Sequence, residues 1–344
     1  MKKRVILSFI VAIGVLTLFV VLVGWGDVID AVNQTAPSTY VFAFAVMLVA
    51  LAMRSMVWIH LLAVLKHDLS RLTIAGIFLS AKFFKYVSPY GQVTATPAIA
   101  LYVSSFTEAD YERNLAAIIS ADMFTYSPYY TFGAVGLAYV TLGAAPFPDV
   151  GVFLAGSAVI ITFLILSLWL VLFRRHLTER LVVFVLSPIG SALTKLGIGF
   201  GEEFTGANLK DRIHGFYETV DVLLNDRSTL LAGLVYGHAA WLFLMLPLVI
   251  TASAMGVELS IFLAMLIVAL SKLGFIVPLP GGLGGVEFTI AGLLFLIAGV
   301  AFAQATAIAI LYRFASYWLT VLVGGLATSA IILTWPGRET FFSG

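Results

Sequence analysis

Ser271-Lys272-Leu273-Gly274-Phe275-Ile276-Val277-Pro278-Leu279-Pro280-Gly281-Gly282 opens as a membrane helix and then forbids one. Two prolines and two glycines within residues 278–282 remove backbone donors and favour non-helical turns. The pattern has a partner earlier in the chain, Ala81-Lys82-Phe83-Phe84-Lys85-Tyr86-Val87-Ser88-Pro89-Tyr90-Gly91-Gln92. Laying Lys82 on Lys272 lays Gly91 on Gly281 without a gap. Further on, Asp122 and Tyr126 fall on Arg313 and Tyr317 with one residue of slippage. Backbone freed at membrane depth survives only where protein or a wet cavity satisfies it. A matched pair of interrupted apolar segments in two halves points to a transporter built on an inverted repeat.

The wider chain supports a membrane setting. Of 344 residues, 61% are hydrophobic and 11% charged, whereas soluble domains are about half apolar and a quarter charged. Apolar runs of about 20 residues recur, the length a bilayer-spanning helix needs. No stretch of soluble composition is long enough for a folded catalytic domain, so no enzyme activity and no cofactor are expected. A net charge of +1 without a basic face excludes a nucleic-acid partner. Zero cysteines exclude disulfides, thiolate metal sites and Cys nucleophiles. Two histidines within spans, His60 and His238, lack a second ligand at metal spacing and read as hydrogen-bonded core residues.

Loop charges give a topology. Lys2, Lys3 and Arg4 place the N-terminus in the cytoplasm, and the apolar run over residues 5–23 reads as a retained first helix rather than a cleaved signal. Asp27 and Asp30 then lie outside, and a second helix over 40–65 returns to Lys66, His67 and Arg71. Residues 72–103 form one hairpin, followed by spans over 115–142 and 150–173 that end on Arg174, Arg175, His176 and Arg180. A span over 228–252, a second hairpin over 259–298 and a last span over 302–335 bring the chain back to Arg338 inside. The prediction is an all-α polytopic protein with about six spanning helices and two re-entrant helical hairpins that enter from opposite faces. A plain eight-helix count satisfies the same charges. The expected organisation is one membrane domain with a first repeat over about 40–142 and a second over about 228–335. Between them, at 174–227, lies an amphipathic cytoplasmic connector whose stripe comprises Ile213, Phe216, Tyr217, Val220, Leu223 and Leu224. That stripe fits either an interfacial helix or a connector packed on its own bundle.

Ionisable groups within spans cost several kcal/mol, roughly 2.5–3.5 each, so each needs a partner or a task. The candidates are Arg54, Lys82, Lys85, Asp122, Lys272, Glu287 and Arg313. Cations outnumber acids, which suits an anionic substrate such as a phosphate or a lipid headgroup. Asp122 and Arg313 are the expected buried ion pair across the repeat interface, with Arg54 beside them as a further gating or snorkelling cation. Lys82, Lys85 and Lys272 precede the breaks and are expected to meet substrate. The run Pro280, Gly281, Gly282, Gly284, Gly285 and Glu287 lacks the Lys-Ser/Thr of a P-loop and reads as a tight turn opening a half-helix. The N-terminus of that half-helix is expected to hold an anion, with Glu287 as a helix-start acid or a proton carrier. Tyr90, Gly91 and Gln92 play the same part in the first hairpin.

Pro278 through Glu287 is similar to the signature of the lysylphosphatidylglycerol synthase transmembrane-region family, a flippase-like integral membrane family. Tyr86 through Gln92 resembles its first-half counterpart, and Arg313 with Tyr317 resembles its late helix. The resemblance runs from about residue 5 to 335 and implies translocation of lipids between leaflets. Two departures matter. No synthase domain is present, so aminoacyl transfer is not implied. Thr96 stands where relatives carry an acid before Pro97, which weakens a two-carboxylate mechanism. The expected function is a flippase-like transporter of an anionic or phosphate-containing lipid, multi-pass in the plasma membrane with both termini cytoplasmic. Membrane lipids are the expected partners, with a homodimer or a lipid-modifying enzyme partner also open. The alternatives are a non-transporting membrane subunit or scaffold for lipid or glycan assembly, and a small-solute transporter on the same plan.

Overall fold

The computed structural model describes residues 25–63, 69–88, 91–107, 109–144, 174–180, 206–276 and 279–334, with single positions at 14, 17, 21, 166, 183 and 184. The expected first span (5–23), most of the span over 150–173, the Lys66–His67 loop and Arg338 lie outside the described residues. Every regular element among those described is helical.

In chain order these are α1 (Trp25–Asn33), α2 (Pro37–Ala63), α3 (Arg71–Val87) and α4 (Gly91–Ser104). α5 (Tyr111–Tyr139) runs on into a π-helical turn at Val140–Ala144. Then follow α6 (Gly206–Asn225), α7 (Arg227–Ala254) and α8 (Ile261–Leu270), the last continuing as a 3-10 segment over Ser271–Ile276. A second 3-10 turn at Pro280–Gly282 precedes α9 (Gly285–Ala298). α10 (Phe302–Arg313), a π-helical turn (Phe314–Trp318) and α11 (Leu319–Thr334) complete the chain. Helix starts carry the residues that satisfy free amides: Ser70 accepts from Thr73 N, Asp226 from Ser228 N and Ser260 from Phe262 N.

Among the described residues, four stretches are long and apolar enough to cross a membrane: Pro37–Ala63, Arg227–Ala254, Pro280–Ala298 and Phe302–Leu333. α3 (17 residues) and α4 (14 residues) are about 25 and 21 Å long, each short of a hydrocarbon core. They pack on each other across the break at 88–90, as do α8 and α9 across the second break. α2 and α7 cross and pack most extensively, α3 lies on α11, and α8 lies on α5. Outward faces keep apolar side chains such as Phe42, Leu72, Leu231, Leu296 and Leu333 exposed, as lipid contact requires.

Among the described residues two large buried clusters form most of the interior, and a small third, Leu283 with Tyr317, sits at the second break. Of the large pair, one gathers Met47, Leu51, Trp241, Leu248 and Ile290; the other gathers Trp58, Ile77, Phe78 and Ile118. α2 feeds both, and Arg54 falls at the seam between its contributions. The connector's apolar stripe is spent on the protein itself. Tyr217, Val220 and Leu223 are buried and α6 packs on α5, so the packed-connector reading holds for them over the interfacial helix.

Candidate functional site

The second break is a closed unit. Gly281 sits at φ +59°, and a β-carbon there would collide with the Tyr317 ring. Arg313 Nη2 donates to the Gly281 carbonyl at 2.7 Å, Arg313 Nε donates to Glu287 Oε1 at 2.8 Å, and Gly284 N–H donates to Glu287 Oε2 at 2.7 Å. Arg313 also lies 4.4 Å from the Tyr317 ring centroid. The π-helical turn right after Arg313 presents both side chains to the loop. Tyr317 in turn donates its hydroxyl to the Tyr86 carbonyl at 3.3 Å and packs on the Tyr86 ring. The two breaks therefore meet, with Tyr317 hydrogen-bonded from one side to the other and α3 and α4 both against the Pro280–Gly282 turn.

This geometry changes what the glycine run does. Glu287 fills the start of α9 with its own carboxylate, where the helix dipole favours it. Gly274 backs onto Gly285 and Val286 so closely that a β-carbon would strike their backbone. The N-terminus expected to hold an anion is therefore occupied from within, by Glu287 in a helix-capping position.

Lys85 Nζ donates to Asp122 Oδ2, while Asp122 Oδ1 is buried without a hydrogen-bond partner. The expected Asp122–Arg313 couple does not form. Each acid is taken by a cation from its own half of the chain: Asp122 by Lys85, and Glu287 by Arg313. The reason is proximity along each half, since Glu287 opens the helix that abuts the Arg313 turn. Arg54 does not snorkel: it is enclosed by protein at 3% exposure, as Lys85 is at 1%.

With the acids committed, Arg54, Lys82 and Lys272 have no carboxylate partner among the described residues. Aromatic faces stand in for one. Trp241, held by its Nε1–H donating to the Thr125 carbonyl, has Arg54 Cζ at 6.0 Å and Lys272 Nζ at 5.5 Å from its ring. Lys272 is also 5.3 Å from Phe275, and Lys82 is 5.5 Å from both Phe78 and Tyr126. Arg54 Nε is buried with no hydrogen-bond partner.

These groups surround a cavity of about 300 Å³. Arg54 enters it from α2, Tyr86 from α3, Tyr126, Tyr129 and Tyr130 from α5, and Lys272 and Phe275 from the 3-10 segment after α8. Lys82 stands behind Tyr126, one ring removed. So of the expected substrate residues, Lys272 lines the cavity, Lys82 supports it and Lys85 is tied to Asp122, while Arg54, expected as a gating cation, lines the cavity beside Lys272. Gly91 forms the first turn, its N–H donating to the Ser88 carbonyl at 3.0 Å. Tyr90 lies outside the described residues, and Gln92 is described in its backbone alone. Sequence reasoning singled out charged and turn residues and missed Tyr86, Tyr129, Tyr130 and Trp241 as parts of the site. A tyrosine cluster around Pro128, at spacings of three and four within an otherwise apolar span, was the available signal.

His60 Nδ1 pairs with the Met56 carbonyl at 2.8 Å, and His238 Nε2 pairs with Thr131 Oγ1 at 3.1 Å. Among the described residues no group of three His, Asp or Glu side chains gathers as a metal site requires. On the connector, Arg175 Nη1 donates to Asp221 Oδ2 at 2.6 Å and Nη2 to Oδ1. That guanidinium holds the Asp221 carboxyl below its ordinary range.

The family model for the lysylphosphatidylglycerol synthase TM region matches residues 5–324. A "UPF0104 membrane protein" of Methanothermobacter thermautotrophicus is 20% identical over 330 residues, 94% of this chain and 94% of that protein. A second match of the same description and organism is 36% identical over 91 residues, 26% of this chain and 27% of that protein. The chain belongs to the lysylphosphatidylglycerol synthase transmembrane-region family and is an integral membrane protein.

Proposed function

We propose that this family member moves a phosphate-containing lipid between leaflets, holding the headgroup in the Arg54–Lys272 cavity while the acyl chains stay in lipid. The observation that carries the reading is a surplus of positive charge, buried Arg54 and Lys82 with half-buried Lys272, beside a cavity at the convergence of two broken segments. Unpaired charge within a span is costly, and an anion supplies the missing partner through charge-assisted hydrogen bonds.

In this reading the chain is an inverted repeat with about six spans and two re-entrant hairpins, in the plasma membrane, with both termini cytoplasmic. Packing supports the repeat, because exchanging the halves preserves it. α3 against α11 becomes α8 against α5. Gly324, facing the Leu79 carbonyl, becomes Gly133, facing the Ala269 methyl, at the offsets of 190 and 191 residues that align Lys82 with Lys272 and Asp122 with Arg313. Alternating access then follows from rocking one half against the other around the shared cavity. Glu287, with both oxygens engaged, acts as a structural cap, and movement is downhill or coupled to an ion elsewhere.

The test is translocation of fluorescent phosphatidylglycerol in liposomes holding the purified chain. The wild type is expected to speed exchange between leaflets, and Lys272→Gln and Arg54→Gln to slow it by an order of magnitude or more, as loss of a charged hydrogen bond worth about 1.5–3 kcal/mol implies. Wild-type liposomes no faster than protein-free ones refute the reading and favour a non-transporting subunit.

A further inference from the structure

We propose that this cavity prefers a lipid whose headgroup ends in a phosphoryl group with two negative charges, a phosphomonoester or a diphosphate, over a singly charged phosphodiester. The inference rests on the headgroup reading of the cavity and adds the charge class of its substrate.

Two cations share one cavity and one indole. Arg54 and Lys272 both line the space of about 300 Å³, and both lie against the Trp241 ring, 6.0 and 5.5 Å from its centroid. That ring is itself fixed, because its Nε1–H donates to the Thr125 carbonyl. Among the described residues neither cation forms an ion pair, since Asp122 is bound to Lys85 and Glu287 to Arg313. A phosphodiester neutralises one of the two and leaves the other uncompensated, whereas a doubly charged phosphoryl group neutralises both. Lys82, 5.5 Å from the Tyr126 ring that also lines the cavity, adds a third positive charge close by.

The donors point the same way. Arg54 is buried, and its Nε has no hydrogen-bond partner. A guanidinium holds phosphate through paired N–H groups, and an ammonium brings three further donors. A terminal phosphoryl group offers three unesterified oxygens to such donors, and a diester offers two. Tyr129 and Tyr130 bring hydroxyl donors to the same wall. The cavity's volume lies at the small end for ligand sites, enough for a phosphoryl headgroup with the chains left outside.

The experiment is competition for fluorescent phosphatidate bound to the full chain in nanodiscs of phosphatidylcholine. It is run at about pH 8, where a phosphomonoester is doubly ionised because its second pKa is about 6. The competitors are unlabelled phosphatidate, farnesyl diphosphate, phosphatidylglycerol and soluble inorganic pyrophosphate. Phosphatidate and farnesyl diphosphate are expected to compete better than phosphatidylglycerol by about tenfold or more, the worth of a second charged hydrogen bond. Lys272→Gln is expected to abolish most of that preference, and Lys272→Arg, which keeps the charge and serves as the folding control, to preserve it. Phosphatidylglycerol competing as well as the doubly charged lipids overturns the proposal. A preference that Lys272→Gln leaves unchanged, or labelled phosphatidate that does not bind saturably, also overturns it. Pyrophosphate competing better than either doubly charged lipid keeps the double charge and moves its source from lipid to solute. Failure here is separable from failure of the transport reading: selective binding without translocation leaves the site standing, and translocation of phosphatidylglycerol without the preference leaves transport standing.

Discussion

The two breaks hold similar places in the sequence and are built from different chemistry. The second is saturated: Arg313 bridges the Gly281 carbonyl and Glu287, and Glu287 caps Gly284. The first rests on the Lys85–Asp122 pair, which leaves one buried carboxylate oxygen unpartnered, and on Gly91 turned against the Lys85 carbonyl. One break has both oxygens of its carboxylate engaged, while the other leaves a carboxylate oxygen to spare. The early part of α4 carries no acid corresponding to Glu287, and the interior acid of the first half, Asp122, pairs with Lys85. Two breaks alike in sequence thus differ in how fully their charged groups are committed, and the first is the more adjustable of the two.

The strongest way to break this comparison is to remove one acid from each half. Glu287→Ala strands Arg313 in the interior and is expected to cost about 3–5 kcal/mol, read as loss of monodisperse protein and a lowered thermal midpoint. Asp122→Asn leaves Lys85 an acceptor and is expected to cost about 1–3 kcal/mol in the same assay. Equal losses would erase the contrast between the locked and the adjustable break.

A smaller effect separates the two turns. Gly281→Ala meets the Tyr317 side chain and strains a positive φ, at about 1–3 kcal/mol, and Tyr317→Ala in the same chain is expected to recover part of that loss. Gly91→Ala meets the Lys85 backbone carbonyl, so truncating a side chain is expected to recover nothing. Thermal unfolding of the single and double variants checks both.

The smallest effect is expected on the connector, away from both breaks. Asp221→Asn removes a half-exposed pair with Arg175 and is expected to cost at most about 1 kcal/mol. Because Arg175 lowers the Asp221 pKa, the pair's contribution is fully present above the unfolded carboxylate value and is lost as pH falls through the lower folded value. Limited proteolysis at 174–180 between pH 7 and pH 3 checks this. Cleavage that rises at the acidic end in the wild type, and less so in Asp221→Asn, is the expected outcome.

Local chemistry made several features legible beforehand. Apolar run length fixed a helical membrane protein, since lipid permits few other solutions. Pro280 and Gly281 marked the second break, because neither residue tolerates an ordinary helix at that point, and the excess of interior cations was a matter of counting. Partner choice was not legible. Asp122 and Arg313 align across the halves, yet pairing depends on which helix ends abut, and each acid found its cation within its own half. The tyrosines of α5 were hidden for a related reason: composition does not say which face of a helix meets a cavity.

The amino-acid order alone settled the class, the breaks and the charge surplus, because solvation and backbone chemistry act on a few residues at a time. Tertiary packing alone decided that Glu287 is a cap, that Trp241 lies between Arg54 and Lys272, and that about 300 Å³ opens beside them. Those outcomes depend on distances between helices far apart along the chain, which only the folded arrangement sets.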